Sequence, residues 1–206
     1  MVTITYNRRF KMNISKISKV LSLVMLAGLI TAMTSCTKPD SEQDFGTTSI
    51  YMPQAVIRSG GVNNQYPVPT GTDSSTWNYR IDKASGKIDI TMGVALSGPG
   101  SEAFGADIRV DSDTLQRLFT SGVFTAATHV VMPASMYTLP ARVEGPKGTR
   151  AGVFRLTVDH KALKGATYAG KFLLVAVRLA NPTTYPLNVP LSSTIVVIEA
   201  NKIPAP

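Results

Sequence analysis

An all-β sandwich with one short helix is the fold class this 206-residue sequence predicts. Three features predict it: short runs in which apolar and polar residues alternate, Gly- and Pro-rich turn signals between them, and only one stretch with helical spacing. The first run is Ser49 to Gln54. Residues 56–79, rich in Gly, Asn, Pro, Ser and Thr, read as a long loop with at most one short strand around Trp77 to Ile81. The clearest period of two spans Lys87 to Leu96, where Ile88, Ile90, Met92, Val94 and Leu96 alternate with Lys87, Asp89, Thr91 and Gly93. Ala106 to Val110 adds a strand. Leu115, Leu118 and Phe119 then recur at helical spacing behind Asp113, the expected N-cap, and the helix should stop near Gly122. Alternation returns in Tyr137 to Val143 and in Phe154 to Asp159. Phe172 to Val177 is apolar on both faces, so it is expected at the centre of a sheet covered on both sides. Thr194 to Ala200 completes the set. Turns are expected at Ala84-Ser85-Gly86, Ser97 to Gly100, Gly145 to Gly148 and Asn181-Pro182.

The composition is that of a folded chain, with 44% hydrophobic residues. Its net charge of +8 suggests a nucleic-acid or lipid partner until the charges are located. Arg8, Arg9, Lys11, Lys16 and Lys19 precede residue 36 with no acid among them, so the remaining 171 residues carry 16 basic and 13 acidic side chains. No nucleic-acid partner is expected from a domain of +3.

The basic start leads into Val20 to Ala32, 13 residues without a charge, and then into Thr34-Ser35-Cys36. This is a signal peptide in outline, too short for a spanning helix of roughly 20 apolar residues. Translation could begin at Met1 or at Met12, which opens a more conventional signal of its own. Cys36 stands where bacterial lipoprotein signals carry the cysteine that is acylated and becomes the new N-terminus. The organisation expected is therefore a lipoprotein signal peptide over residues 1–35, a lipidated Cys36 with a flexible tether over 36–47, a sandwich over 48–201 and a short tail over 202–206. The short polar, acidic run after Cys36 resembles the export signal of Bacteroidetes outer-membrane lipoproteins, which places the protein on the outer membrane facing the exterior. With its single cysteine acylated, the domain must hold itself by its core. A chain of about 170 residues can bury roughly 70% of its unfolded surface, enough without disulfides.

Catalytic and cofactor motifs are mostly lacking. His129 and His160 are 31 residues apart and outside any ligand-spaced cluster, so they read as surface or strand-end residues rather than zinc ligands or bases. Gly98-Pro99-Gly100-Ser101-Glu102-Ala103 formally matches a dinucleotide fingerprint, but no helix follows to receive a pyrophosphate. Asp107, Asp111 and Asp113 lack the further ligands of a calcium loop. No metal, no cofactor and no catalytic residue is expected.

Several ordered motifs carry a family resemblance: Ile50-Tyr51-Met52-Pro53-Gln54-Ala55, Leu96-Ser97-Gly98, Asp107 to Asp111, Met132 to Pro140, Tyr168 ahead of the long apolar strand, and Ser192-Ser193-Thr194. Over residues 48–201 the chain resembles the domain of unknown function at the N-terminus of many Bacteroidetes surface lipoproteins, including endo-β-N-acetylglucosaminidase-like proteins. The resemblance implies an immunoglobulin-like sandwich encoded among glycan-utilisation genes. The D-x-x-D-x-D-x-E run of family-eighteen hydrolases is absent, and the sequence ends at Pro206 without a second module, so no hydrolase activity is expected.

Aromatic residues in loop-like surroundings supply the binding candidates. Tyr66, Trp77, Tyr79 and Tyr185 could stack on the apolar face of a pyranose, with Asn63, Asn64, Gln65 and Asn78 satisfying hydroxyls. Trp77 and Tyr79, two apart, fall on one face of a strand with Asn78 opposite. The function expected is non-catalytic glycan binding or accessory glycan capture; the alternative is a structural or adhesive module whose partner is another envelope protein.

Overall fold

The computed structural model describes residues 46–56, 64–71 and 76–206. The signal peptide, Cys36 and most of the tether lie outside the described residues, as does Asn63. In chain order the elements are β1 (Ile50–Tyr51), β2 (Gln65–Val68), β3 (Tyr79–Asp82), β4 (Lys87–Leu96), β5 (Phe104–Val110), α1 (Ser112–Thr120), β6 (His129–Val131), β7 (Tyr137–Thr138), β8 (Arg142–Gly145), β9 (Ala151–Asp159), α2 (His160–Leu163), β10 (Phe172–Thr183) and β11 (Ser193–Glu199).

The strands form two sheets. The first runs β1-β4-β9-β7, with β3 also on β4; the second runs β2-β11-β10-β5-β8, with β6 also on β10. Their inner faces make the main core, in which Ile88, Ile90, Met92 and Val94 of β4 and Leu156 and Val158 of β9 oppose Leu173, Val175 and Val177 of β10 and Val196 and Ile198 of β11. The β4 alternation therefore reads directly as one buried face.

As expected for a run apolar on both sides, β10 lies inside its sheet. Its odd-numbered residues face the main core, while Leu174 and Ala176 pack with Ile195 under Leu115 of α1 and Phe124 in a second, smaller core. The cap of α1 is Asp111, not Asp113: its carboxylate accepts from Thr114 N (3.2 Å) and from Thr114 Oγ1 (2.8 Å). Asp111 also gives its own N–H to Ala176 O (2.9 Å), so the last bond of the sheet and the first of the helix meet at one residue. Gly122, at φ +75°, ends the helix where predicted.

Other expectations are corrected. Residues 137–143 are not one strand, because Pro140 has no N–H to continue a ladder. Tyr137–Thr138 pairs with β9, and the chain crosses to the other sheet, where Arg142–Gly145 pairs with β5. Where the chain returns from β8 to β9 the sheets approach so closely that a Cβ on Gly152 would lie 2.4 Å from Glu144 O. Asn181-Pro182 is no turn between strands but a bulge inside β10: Asn181 takes φ +45°, and the register against β5 slips between Ala180 and Thr183. Residues 56–79 hold two strand segments rather than at most one, since Gln65–Val68 runs parallel to β11 at the sheet edge, where Pro67 is tolerated. His129–Val131 is a further strand not anticipated, parallel to β10. A second helix exists, the single turn His160–Leu163 capped by Asp159. In the tail over 202–206, Ile203 is buried in the main core, and the buried His160 donates from Nε2 to Pro204 O at 2.9 Å. His160 thus ends a strand but is not a surface residue.

Candidate functional site

One edge of β4 is shared by two short strands, β3 along residues 87–90 and β1 along 95–96, which leaves the backbone between them without a strand partner. Three groups satisfy it. Thr91 N donates to Asn78 O (3.0 Å), Gly93 N donates to the Gln54 side chain (3.3 Å), and Tyr66 Oη donates to Thr91 O (3.0 Å). Tyr66 is therefore a buried strand residue with its hydroxyl spent on the sheet edge, not a loop ring facing solvent. Burial pushes its phenol above the ordinary tyrosine range.

Trp77 and Tyr79 come together as their spacing implies, with ring centroids 5.1 Å apart and planes within 8°. They do not form a two-ring exposed platform. Tyr79 is 5% exposed and Trp77 half-buried against the main core, so only Trp77 reaches solvent. Among the described residues the buried Tyr79 hydroxyl has no hydrogen-bond partner, and desolvation raises its pKa. Asn78 serves the chain itself, donating to Pro67 O (2.9 Å) and accepting from Thr70 N (2.9 Å).

The remaining expected residues are dispersed. Tyr185 is half-buried, packs edge-on against Phe104 at 6.4 Å, and accepts from Glu102 N beyond the Leu96 end of β4. Tyr79 pairs with Ile90, six residues from Leu96, so Tyr185 lies about 20 Å from it along the strand. Asn64, at φ +40°, staples β2 to β11: its amide donates to Pro190 O (3.1 Å) and Ser193 O (3.3 Å).

Two hollows open on the outer face of the second sheet, where sequence reasoning looked for no site. Along β11, Ser193, Ile195, Val197 and Glu199 alternate onto this face and pair in register with Arg178, Ala176, Leu174 and Phe172 of β10. The first hollow, about 270 Å³, lies beside α1 over Ala176 and Ile195 and includes Asn64 in its wall. The second, about 360 Å³, lies over Phe172 and Val197, with Gln65, Thr70, Glu199 and Lys202 around it. Its aromatic wall is Phe172 and His129, 5.2 Å apart, with the buried Phe124 behind His129 at 4.7 Å. Thr128 Oγ1 lies 2.8 Å from His129 Nδ1, and Glu199 pairs with Lys202 at 2.8 Å. An aromatic wall facing an amide, a hydroxyl and an ion pair can hold an uncharged polar molecule that has one apolar side. The groove depends on the pairing of β6 with β10, which no local sequence pattern announces.

Asp107 gathers charge elsewhere, taking bonds from Asn181 Nδ2 (2.8 Å), Arg142 Nη1 (2.9 Å) and Arg109 Nη2 (2.9 Å), which hold its carboxyl below the usual range. Asp107, Asp111 and Asp113 do not converge: the first binds arginines and the second caps α1. Among the described residues no group of three His, Cys, Asp or Glu side chains is arranged to hold a metal.

No family model matches the sequence, and no curated protein matches it. The fold is similar to that of a proposed carbohydrate-binding protein of Bacteroides ovatus, at 9% identity and a TM-score of 0.48, over 73% of this chain and 36% of that one. A multidomain Bacteroides ovatus protein including DUF1735 aligns at 14% identity and 0.44, over 58% of this chain and 37% of the other. The Bacteroides endoglycosidase EndoBT-3987, solved with a Man5GlcNAc product, aligns at 13% and 0.43, over 55% and 26%. This chain thus spans well under half the length of each of these three proteins, and they are of the kind the sequence motifs resemble.

Proposed function

We propose that the protein is a non-catalytic surface lipoprotein of immunoglobulin-like type, anchored through Cys36 to the outer membrane and facing outward, which captures glycan or serves a glycan-capturing complex. The observation that carries this reading is the 360 Å³ groove, where the rings of Phe172 and His129 stand across from Gln65, Glu199 and Lys202. Apolar C–H faces of a sugar pack on such rings while hydroxyls bond the amide and carboxylate. Trp77, the exposed member of its stacked pair, is a second candidate surface for the same ligand class. The lipid anchor is supported by the order of basic residues, 13-residue apolar run, small residues and cysteine.

The test is retention of residues 37–206 on immobilised polysaccharides, with Phe172→Ala and Trp77→Ala compared. Loss of retention in the first variant alone, at an unchanged fold by circular dichroism, assigns the groove; loss in the second alone assigns the Trp77 edge. No retention of the unaltered protein on any polysaccharide leaves the adhesive or structural module bound to an envelope protein as the better reading. Cys36→Ala should move the full-length protein out of the membrane fraction.

A further inference from the structure

The first hollow, beside α1, has a chemistry of its own. Its floor is aliphatic, with Leu118 of the helix and Ile195 of β11 on either side of Ala176. Its wall is a relay on one face of α1: Arg117 Nη2 donates to Thr114 Oγ1 (2.7 Å), and Thr114 Oγ1 donates to Asp111 Oδ2 (2.8 Å). The relay fixes a guanidinium and a carboxylate at the same opening. Arg117 makes no ion pair among the described residues, so most of its N–H donors remain available, and each oxygen of Asp111 keeps acceptor capacity beyond its single bond from Thr114. Across from them, Asn64 commits its amide N–H groups to Pro190 and Ser193, which leaves its Oδ1 as an acceptor.

These groups select a ligand by elimination. An anion meets Asp111, and a cation meets Arg117. A hydrocarbon would strip water from both and return no hydrogen bond. A molecule that is uncharged overall, carries hydroxyls that both donate and accept, and has one apolar face satisfies floor and wall together. The volume of about 270 Å³ is just below the roughly 300 Å³ at which small-molecule pockets usually begin, so it admits one ring rather than a chain.

We propose that this pocket holds a single uncharged sugar ring, and that the groove farther along β11 receives the next part of the same glycan. The proposal deepens the glycan reading and rests on it. Ser193 and Ile195 face the pocket while Val197 and Glu199 face the groove, so the two hollows follow one another along one face of one strand. A glycan seated in both would be recognised at its end, with the terminal ring in the pocket.

Among the described residues the core is built from residues 50–203, and these residues belong to one compact unit, Phe45–Pro206, so residues 37–206 can be tested alone. The backbone amides of ¹⁵N-labelled protein are followed during titration with the methyl glycosides of glucose, galactose, mannose and N-acetylglucosamine, and with glucuronic acid and glucosamine as charged counterparts. Saturable shifts at Thr114, Leu118 and Ile195 with at least one neutral glycoside are expected, with binding at least tenfold weaker for the charged sugars. Arg117→Met, at an exposed side chain, should weaken that binding about tenfold without altering the melting temperature. Silence at these amides for all four neutral glycosides overturns the proposal, as does tighter binding of a charged sugar or an unchanged affinity in Arg117→Met. Retention on polysaccharide without shifts at the pocket overturns this inference alone; absence of both overturns the glycan reading with it.

Discussion

The outer faces of the two sheets are built on opposite plans. On the first, the outward positions of β4 and β9 hold Asp89, Thr91 and Arg155 with small residues such as Ala95 and Ala151, and Thr157 donates to Asp89 across the strands at 2.7 Å. Val153 is left 67% exposed there. On the second, Leu174, Ala176, Ile195 and Val197 make an apolar strip that water would penalise, and α1 with Phe124 covers part of it. A nine-residue helix spans about 14 Å, less than the length of β10, so the cover is incomplete and hollows remain at its side and beyond it. The first face, which needs no cover, holds among the described residues a hollow of only about 70 Å³, beside Lys87, Thr157 and Asp159. Partial cover of an apolar face creates concave space with apolar floors and polar rims, which is what a ligand site requires.

The comparison breaks first at the core beneath the helix. Leu174→Ala should cost about 2–5 kcal/mol, whereas Val153→Ala on the opposite sheet should stay within about 0.5 kcal/mol. Urea midpoints of the two variants measure this, and similar losses would mean that the second core contributes nothing that the bare face lacks. A smaller effect sharpens the account of the β4 edge. Tyr66→Phe removes a bond to Thr91 O and should destabilise by about 1 kcal/mol, while Tyr79→Phe removes a buried hydroxyl with no partner among the described residues and should be neutral or stabilise by up to about 1 kcal/mol. Shifts of the same sign in both variants would remove the distinction drawn between the two rings.

The smallest expected effect is on acid response, and it compares the sheets through their carboxylates. Asp107 in the second sheet is held low by Asn181, Arg142 and Arg109, and Asp159 in the first by Ala162 N and Lys87. Both carboxyls titrate lower in the folded chain than the unfolded value of about 3.9. Their contribution is therefore present above about pH 4 and is lost as pH falls through the depressed folded values. Asp107→Asn should flatten the fall in melting temperature below pH 4, and an unaltered profile would show that its cluster adds nothing to acid stability.

Periodic patterns carried most of the sandwich. The β4 run was readable to the residue because burial on one face writes itself as alternation, and β10 announced its central place by being apolar on both sides. The helix was visible from Leu115, Leu118 and Phe119, though its cap lay two residues earlier, at the point where the backbone leaves the sheet. The stacking of Trp77 on Tyr79 followed from their spacing, but spacing says nothing of depth, and the core took one ring while leaving the other half-exposed. Of the described residues singled out as sugar contacts, Asn64 lines the first hollow and Gln65 the second, while none of the four rings lines either.

The sequence by itself determined the long strands β4, β5, β9, β10 and β11 and the one substantial helix, since each is a property of neighbouring residues. Tertiary structure alone decided that Pro140 marks a crossing between sheets, that Asn181 is a bulge, and that His129 lies between Phe124 and Phe172. It also set Asn64 and Arg117, more than fifty positions apart, around one pocket. The physical reason is range: helical and strand periodicity act over a few residues, whereas a cavity is made where distant segments pack imperfectly, and no local pattern records which segments those will be.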